Sequence, residues 1–239
     1  MATTLKVALH SLGLASCYYG FSSIELISQI TGNDLFLLYG GRYQFLTLCG
    51  LYLTGLTLVL ALLNDLLPTI PALKSIKTFL LGFVMPAEVL ITFLYWGLRA
   101  LDPSLLVPPR DVYDPLDPTR VLRQEVILIP LFMDATLHAF PGLFLLADFL
   151  LFSEPFKSIR RTGLSCIAFT IAYSLWVEKC ASVNQRFPYP LLDLLSAPQR
   201  AALYLTCGVI VSLVLPGCEA AHRALNRSEK TIRSSKKRL

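Results

Sequence analysis

Residues 126–152, VILIPLFMDATLHAFPGLFLLADFLLF, decide how the rest of the chain is interpreted. The stretch is long and apolar enough to span a bilayer, which takes roughly 20 apolar residues. It nevertheless carries Asp134 and His138, which are spaced i, i+4 and therefore share one face of a helix. Ionisable groups at bilayer depth are costly and usually face a bundle interior or a water-filled cavity. The pattern therefore predicts a membrane helix that forms one wall of a polar site.

Two prolines accompany this pair, because Pro130 and Pro141 fall on or near the same face. A proline inside a membrane helix removes a backbone hydrogen bond and bends the helix. We therefore expect one bent span, with Pro130 as a bend point.

The composition places the whole chain in a membrane. Of the 239 residues, 54% are hydrophobic and 15% are charged, and the mean hydropathy is +0.60. A soluble domain of this length is more polar. The first apolar run is too long for a cleaved signal peptide, so we expect it to remain as an anchor. No basic domain with interleaved aromatic residues is present, which argues against a nucleic-acid partner.

Leucine-rich, non-alternating apolar segments predict an all-α polytopic membrane protein, with six transmembrane helices and a polar site inside the bundle. A transmembrane domain is expected over residues 1–222, followed by a basic cytosolic tail over residues 223–239. The predicted spans are residues 7–30, 43–63, 79–98, 126–152, 162–181 and 203–221. The proline-rich connection at residues 102–123 is predicted to be an extended, structured loop.

Charge sets the expected orientation. With six spans both termini lie on one side, and that side collects most of the 21 lysines and arginines, so both termini should be cytosolic. Lys236 and Lys237 match the spacing of a dilysine retrieval signal, which predicts residence in the endoplasmic reticulum; the plasma membrane is the alternative. The basic tail is also explained by binding to anionic lipid headgroups.

Several polar residues inside the spans are candidate site residues. His138 is the sole histidine in the middle of a predicted span, which argues against a haem site with paired histidine ligands. Asp134 either orients His138 by accepting a ring N–H or pairs with Arg120 or Arg123. Glu88, which follows Pro86, is a further buried acid. The six cysteines form no CxxC pattern and are best explained as small buried side chains, with metal or disulfide roles as the alternative.

No GxSxG, HExxH, P-loop or GxGxxG motif occurs, and no metal or cofactor is predicted. A set of short motifs in residues 39–195 is more informative through its order than through any single member. These are Tyr39-Gly40-Gly41 with Phe45-Leu46-Thr47, residues 83–86 with 93–96, His138, Tyr173 with Leu175-Trp176-Val177, and Tyr189-Pro190. With this set the chain resembles the family of the androgen-induced protein and the androgen-dependent regulator of tissue factor pathway inhibitor.

The resemblance implies a threonine hydrolase that cleaves fatty acid esters of hydroxy fatty acids. It implies that Thr47 is the nucleophile and that His138 is the essential histidine. Asp134 stands where members of the family often carry a second histidine, and this departure affects the expected substrate more than the expected chemistry.

The leading hypothesis is therefore a membrane lipid ester hydrolase whose substrate enters from the bilayer. Arg42, next to the glycine pair, is a candidate for binding the carboxylate of that substrate. The alternatives are a small transporter that uses Asp134, His138 and Glu88 as a proton relay, and a non-catalytic membrane scaffold. On the predicted spans, Thr47 lies on the order of 12 Å nearer the membrane surface than His138. Helix tilt, a bend at Pro130 or a dipping glycine loop must close that gap.

Overall fold

The computed structural model describes residues 2–31, 34–117 and 119–236, with backbone alone at residues 2, 31, 34–35 and 226–236. Long helices dominate this part of the chain, and three short 3-10 helices, the four-residue α7 and a two-stranded sheet lie in the connections. The helices are α1 (Ala2–Thr31), α2 (Leu46–Leu66), α3 (Pro71–Leu101), α4 (Leu131–His138), α5 (Phe140–Phe152), α6 (Ile159–Asn184), α7 (Pro190–Asp193) and α8 (Ala197–Lys236).

The prediction of an all-α polytopic membrane protein is confirmed. Among the described residues, α2, α3, α6 and α8 are each long and apolar enough to cross a membrane. The bent pair α4–α5 makes a fifth candidate span. α1 has 30 residues, which is sufficient length for a sixth span, but its composition is more polar. The number of spans shown is therefore four to five rather than six.

The stretch at residues 126–152 is not one helix. Residues 126–130 are non-helical, α4 is eight residues long, and α5 continues at an angle of 47°. Pro130 is the N-cap of α4 and Pro141 lies in the first turn of α5, so neither proline interrupts a continuous helix. The predicted bend at Pro130 is therefore wrong, and the change of direction occurs at Ala139, immediately after His138.

The proline-rich connection forms a β-hairpin. Strand β1 (Arg110–Tyr113) pairs antiparallel with strand β2 (Val121–Glu125), with an irregularity after Val112. Arg110 also donates a hydrogen bond to the carbonyl of Ile30 near the end of α1. The hairpin therefore packs at the end of the bundle where α1 finishes.

The internal proline of α3 explains a contact between α3 and α6. Pro86 lies inside α3 and has no N–H to donate to the carbonyl of Gly82, four residues earlier. The Cys166 thiol of α6 donates to that carbonyl at 3.6 Å. A Cβ on Gly82 would lie 2.6 Å from Thr162, so glycine permits the close approach of the two helices.

The opposite end of the bundle is held by a buried ionic cluster, which we call the His10 cluster: His10, Asp65, Lys77 and Asp148. The His10 ring lies between the carboxylates of Asp65 (2.7 Å) and Asp148 (3.0 Å). Lys77 contacts the other oxygen of Asp148 at 2.5 Å. The cluster joins α1, α2, α3 and α5. His10 is near the start of α1, and the carbonyl that Arg110 contacts, that of Ile30, is near the end of α1. The helix α1 therefore runs the length of the bundle.

The C-terminal helix and the cysteines complete the description. α8 continues through the predicted boundary between residues 222 and 223 without a break, so that division remains a prediction. The lysine pair at 236 and 237 lies outside the described side chains.

All six cysteines fall in the described part of the chain, and they form no disulfide there.

Candidate active site

The turn into α2 fixes the position of Thr47. Gly40 and Gly41 both have positive φ, at 88° and 50°, and lead into a short 3-10 turn over Gly41–Gln44. At Gly40 a Cβ would also lie 2.5 Å from the Cys180 sulfur of α6. Glycine is therefore required at Gly40 by both backbone conformation and space. Thr47 follows in the first turn of α2 and is buried.

Polar side chains of α6 hold this turn in place. The Tyr173 hydroxyl donates to the carbonyl of Gln44 at 3.0 Å, and the Trp176 indole donates to that of Tyr43 at 2.9 Å. The Asn184 amide bonds both the N–H and the carbonyl of Tyr39. The separate motifs around Gly40 and Trp176 thus form one structural unit, whose effect is to anchor the start of α2.

His138 belongs to a chain of three charged or ionisable side chains. Its Nδ1 lies 2.7 Å from Oδ1 of Asp134, one turn earlier on α4. The second oxygen of Asp134 forms an ion pair with Arg99 of α3. The Asp134 side chain is fully buried, and that of Arg99 is 18% exposed. Arg99 therefore takes the place that the sequence suggested for Arg120 or Arg123, and that pairing is wrong.

This arrangement selects one form of the histidine ring. A carboxylate accepts hydrogen bonds, so Nδ1 of His138 carries the proton that it shares with Asp134. In the neutral ring, Nε2 is then a lone-pair acceptor. The ring also stacks on Tyr95 of α3, with parallel planes and centroids 3.4 Å apart. His138 is thus held in both orientation and tautomer as a proton acceptor.

Thr47 and His138 line the same cavity, of about 120 Å³, although 91 positions separate them in the sequence. We call it the His138 cavity. No hydrogen bond joins the two side chains within the described structure, so a group placed in the cavity must connect them. The difference in depth expected from the sequence does not separate the two residues, because both line this cavity; α4 begins only at Leu131, so fewer helical residues precede His138 than the sequence suggested.

Tyr189 is the hydroxyl-bearing neighbour of Thr47. It precedes α7, lines the His138 cavity, and its phenol interacts with the side chain and the backbone of Thr47. Burial raises the pKa of Tyr189, and the weaker effect of the hydrogen bond with Thr47 lowers it. The phenol therefore stays protonated at neutral pH and can act as a hydrogen-bond donor.

Two other candidates lie away from this cavity. Glu88 is fully buried on α3 and accepts a hydrogen bond from Thr54 at 3.1 Å, but it does not line the cavity. Arg42 has a side chain that is 42% exposed and lies 3.7 Å from Glu25. It does not line the cavity either, so its expected contact with a substrate carboxylate has no geometric support.

Three neighbours of the site were missed by sequence reasoning. From sequence alone, Arg99 is explained as a charge near the end of a span, and Tyr95 and Tyr189 as members of the interfacial belts that tyrosine commonly forms. A usable signal existed for Tyr95 and Arg99, since they are spaced i, i+4 on one face of α3. Within the described residues no group of three or more His, Cys, Asp or Glu side chains is arranged to hold a metal ion.

Comparison with known proteins gives the family. The sequence profile of the FAR-17a/AIG1-like proteins matches residues 5–222. The chain belongs to the FAR-17a/AIG1-like family. A relative from Schizosaccharomyces pombe (strain 972 / ATCC 24843), described as a UPF0641 membrane protein, is 30% identical over 203 residues, which are 84% of this chain and 83% of the relative. No solved structure matches this FAR-17a/AIG1-like chain.

Proposed function

We propose that this protein is an integral membrane lipid ester hydrolase in which Thr47 is the nucleophile and His138 the general base. The observation that carries the proposal is the shared cavity: a threonine and an oriented histidine from distant parts of the sequence line the same space. A threonine hydroxyl is a weak nucleophile that needs a base within reach. Asp134, held by Arg99, supports the base by fixing its tautomer.

The reaction follows from the positions of the groups. Thr47 Oγ1 attacks the ester carbonyl while Nε2 of His138 removes its proton, either directly or through one water. His138 then gives that proton to the departing alkoxide, and the acyl group stays on Thr47. Water, activated by the same histidine, hydrolyses the acyl-threonine and restores both residues. Tyr189, adjacent to Thr47, is proposed to donate a hydrogen bond to the oxyanion.

The proposed substrates are fatty acid esters of hydroxy fatty acids or related lipid esters that enter from the bilayer. The resemblance described above motivates the substrate class, and the predominantly aliphatic lining of the His138 cavity supports it. The family match and the relative bear on membrane location only, since the relative is described as a membrane protein. A transporter is less well supported, because the proposed relay needs Glu88 beside His138 and Glu88 lies outside the cavity.

The test is turnover of such an ester by purified full-length protein. Thr47→Ala and His138→Ala should each abolish hydrolysis, and the double variant should be no worse than either, because paired catalytic groups act as a unit. Thr57→Ala is the matched control. It removes a buried threonine of the same helix whose hydroxyl bonds the Leu53 carbonyl. Full turnover by Thr47→Ala, or equal loss in Thr57→Ala, would refute the proposal.

For topology we propose α1 as a sixth span, both termini in the cytosol and residence in the endoplasmic reticulum. Lysine and arginine asymmetry motivates the orientation, and the lysine pair near residue 236 motivates the location. In sealed microsomes a tag at the C-terminus should be digested by added protease. Protection of that tag would contradict the orientation. A protein that keeps its location after both lysines are changed to serine would remove the support for the retrieval signal.

A further inference from the structure

A second apolar cavity meets the His138 cavity at Thr47. It has a volume of about 150 Å³ and lies between α3, α6 and α8; we call it the α3/α6/α8 cavity. Its lining is largely aliphatic, and includes Ala87, Leu90, Leu94, Cys207 and Val211. Both cavities share the same four residues at their junction: Thr47, Tyr95, Leu106 and Tyr189.

The α3/α6/α8 cavity extends along α3. Its lining on α3 extends from Ala87 to Leu98, which corresponds to about 16 Å at 1.5 Å per residue. Thr47 and Leu105 line it together with this stretch of α3, and Cys207 and Val211 line it from α8. No ionic side chain is present among its lining residues, all of which are described. An apolar cavity that extends along a helix and is lined in part by the proposed nucleophile suits a hydrocarbon chain.

The two cavities differ in one chemical respect, which is that His138 lines only the first. In ester hydrolysis the acyl group remains on the nucleophile, whereas the alcohol leaves with a proton from the general acid. The leaving oxygen must therefore be within reach of His138, and the alcohol half of the ester must extend into the His138 cavity. The acyl chain, attached to Thr47, then has the other cavity available.

We propose that the α3/α6/α8 cavity is the acyl-chain subsite and that the His138 cavity is the leaving-group subsite. This inference rests on the hydrolase function proposed above. The substrate class is thus a lipid ester with two extended arms, one on each side of the reacting carbonyl. Residues of α3 and α8 set the preference for the chain length of the acid. Residues that flank the β-hairpin, such as Val107 and Ile129, set the preference for the alcohol.

The experiment uses two ester series. The first is p-nitrophenyl esters of short to long saturated acids, which share one leaving group and vary only in the acyl arm. The second keeps one acyl chain and varies the alcohol arm. Full-length protein in detergent micelles is assayed with each series, and the result is the ratio of kcat/KM for long over short members.

Ala87→Phe fills the small position along the α3/α6/α8 cavity. It should lower the long-to-short ratio roughly tenfold in the acyl series, the size expected when a pocket rejects part of a chain, and leave the alcohol series unchanged. Cys207→Phe blocks the same cavity from α8 and keeps the test valid if the first variant does not fold. Ile129→Trp, in the His138 cavity, is the matched control and should alter only the alcohol series.

The outcomes separate the two proposals. If Ala87→Phe and Cys207→Phe change the alcohol series while Ile129→Trp changes the acyl series, the subsites are reversed and this inference is wrong while the hydrolase remains. If none of the variants changes either ratio, the assignment of the two subsites is likewise wrong, and the hydrolase proposal remains. If the unmodified protein hydrolyses no ester in either series, the proposed function itself fails, and this inference fails with it.

Discussion

Asp134 is the residue on which the proposed chemistry most depends after the proposed reacting pair, Thr47 and His138. It is fully buried, and each of its oxygens has a cationic or hydrogen-bond-donating partner, Arg99 on one side and His138 on the other. A buried carboxylate is tolerated when its partners compensate for lost hydration. Arg99 supplies that compensation, and it leaves Asp134 free to act on the imidazole without accepting a proton itself.

Asp134→Asn should lower kcat on the order of 10²- to 10⁴-fold with little change in KM, because an amide can favour the wrong tautomer of His138. The measurement is steady-state kinetics on the purified variant. Gln124→Glu is the control. It adds one negative charge at an exposed position of the hairpin, whereas Asp134→Asn removes one from the site. Unaltered kcat in Asp134→Asn would show that the carboxylate does not control the base.

Tyr189→Phe tests the hydroxyl beside Thr47. If the phenol binds the oxyanion, its removal should lower kcat on the order of 10²-fold and leave KM nearly unchanged, since the interaction strengthens only in the transition state. Tyr43→Phe is a control, because its exposed phenol lies outside both cavities. A rise in KM with unchanged kcat would instead assign Tyr189 to substrate binding.

Acidity offers an independent check on His138. The base works only as the neutral ring, so kcat/KM should fall as pH decreases and His138 becomes protonated. The profile should be measured over a range in which the protein remains folded, as shown by thermal unfolding at each pH. A rate that is independent of pH on the acid side would argue against a histidine base.

At the scale of elements, the glycine turn and α6 together determine where α2 begins. Gly40→Ala forces an L-residue into a left-handed conformation and pushes a Cβ against Cys180. We expect loss of activity, with destabilisation of more than about 1 kcal/mol from the strained backbone alone. Thermal unfolding and turnover are the measurements. Gly97→Ala, with no atom within 4 Å of its new Cβ, is the matched control and should be neutral or slightly stabilising.

The fourth apolar stretch illustrates how much the sequence could predict. Hydrophobicity and the i, i+4 spacing correctly placed Asp134 and His138 on one helical face in contact with each other. These two signals could not predict that residues 126–130 are non-helical. An apolar run shows that a segment is buried, but it does not show whether the backbone is helical or extended. Pro130 was consistent with both a kink and a helix start, and the structure has the start.

The partners of the site illustrate the opposite case. Arg99 and Tyr189 come from other elements, and each gains its role only from a contact with a residue distant in sequence. Positive charge at the end of a span has a general explanation in membrane topology, so the i, i+4 spacing of Arg99 from Tyr95 was not sufficient to assign Arg99 to the site. The resemblance pointed to Thr47 and His138, whereas the side chains that orient them required three-dimensional placement.

For the molecule as a whole, the His10 cluster connects four helices at the end opposite the site. Lys77→Met leaves Asp148 without its cationic partner while His10 remains, and removal of one member of a buried ion pair typically costs about 3–5 kcal/mol. We expect a lower Tm with normal turnover per folded molecule. Lys74→Met, one turn earlier on α3 and paired with exposed Glu154, should have little effect. Equal Tm values for the two variants would contradict a structural role for the cluster.

The position of Thr47 in the first turn of α2 has a consequence for kinetics in vesicles. The proposed nucleophile stands near one end of a 21-residue helix, so we expect it to lie close to one face of the membrane and to reach esters in one leaflet only. In sealed proteoliposomes with uniform orientation, hydrolysis should therefore show a fast phase that consumes the facing leaflet. A slow phase should follow at the rate of transbilayer lipid exchange, and an added scramblase should merge the two phases into one.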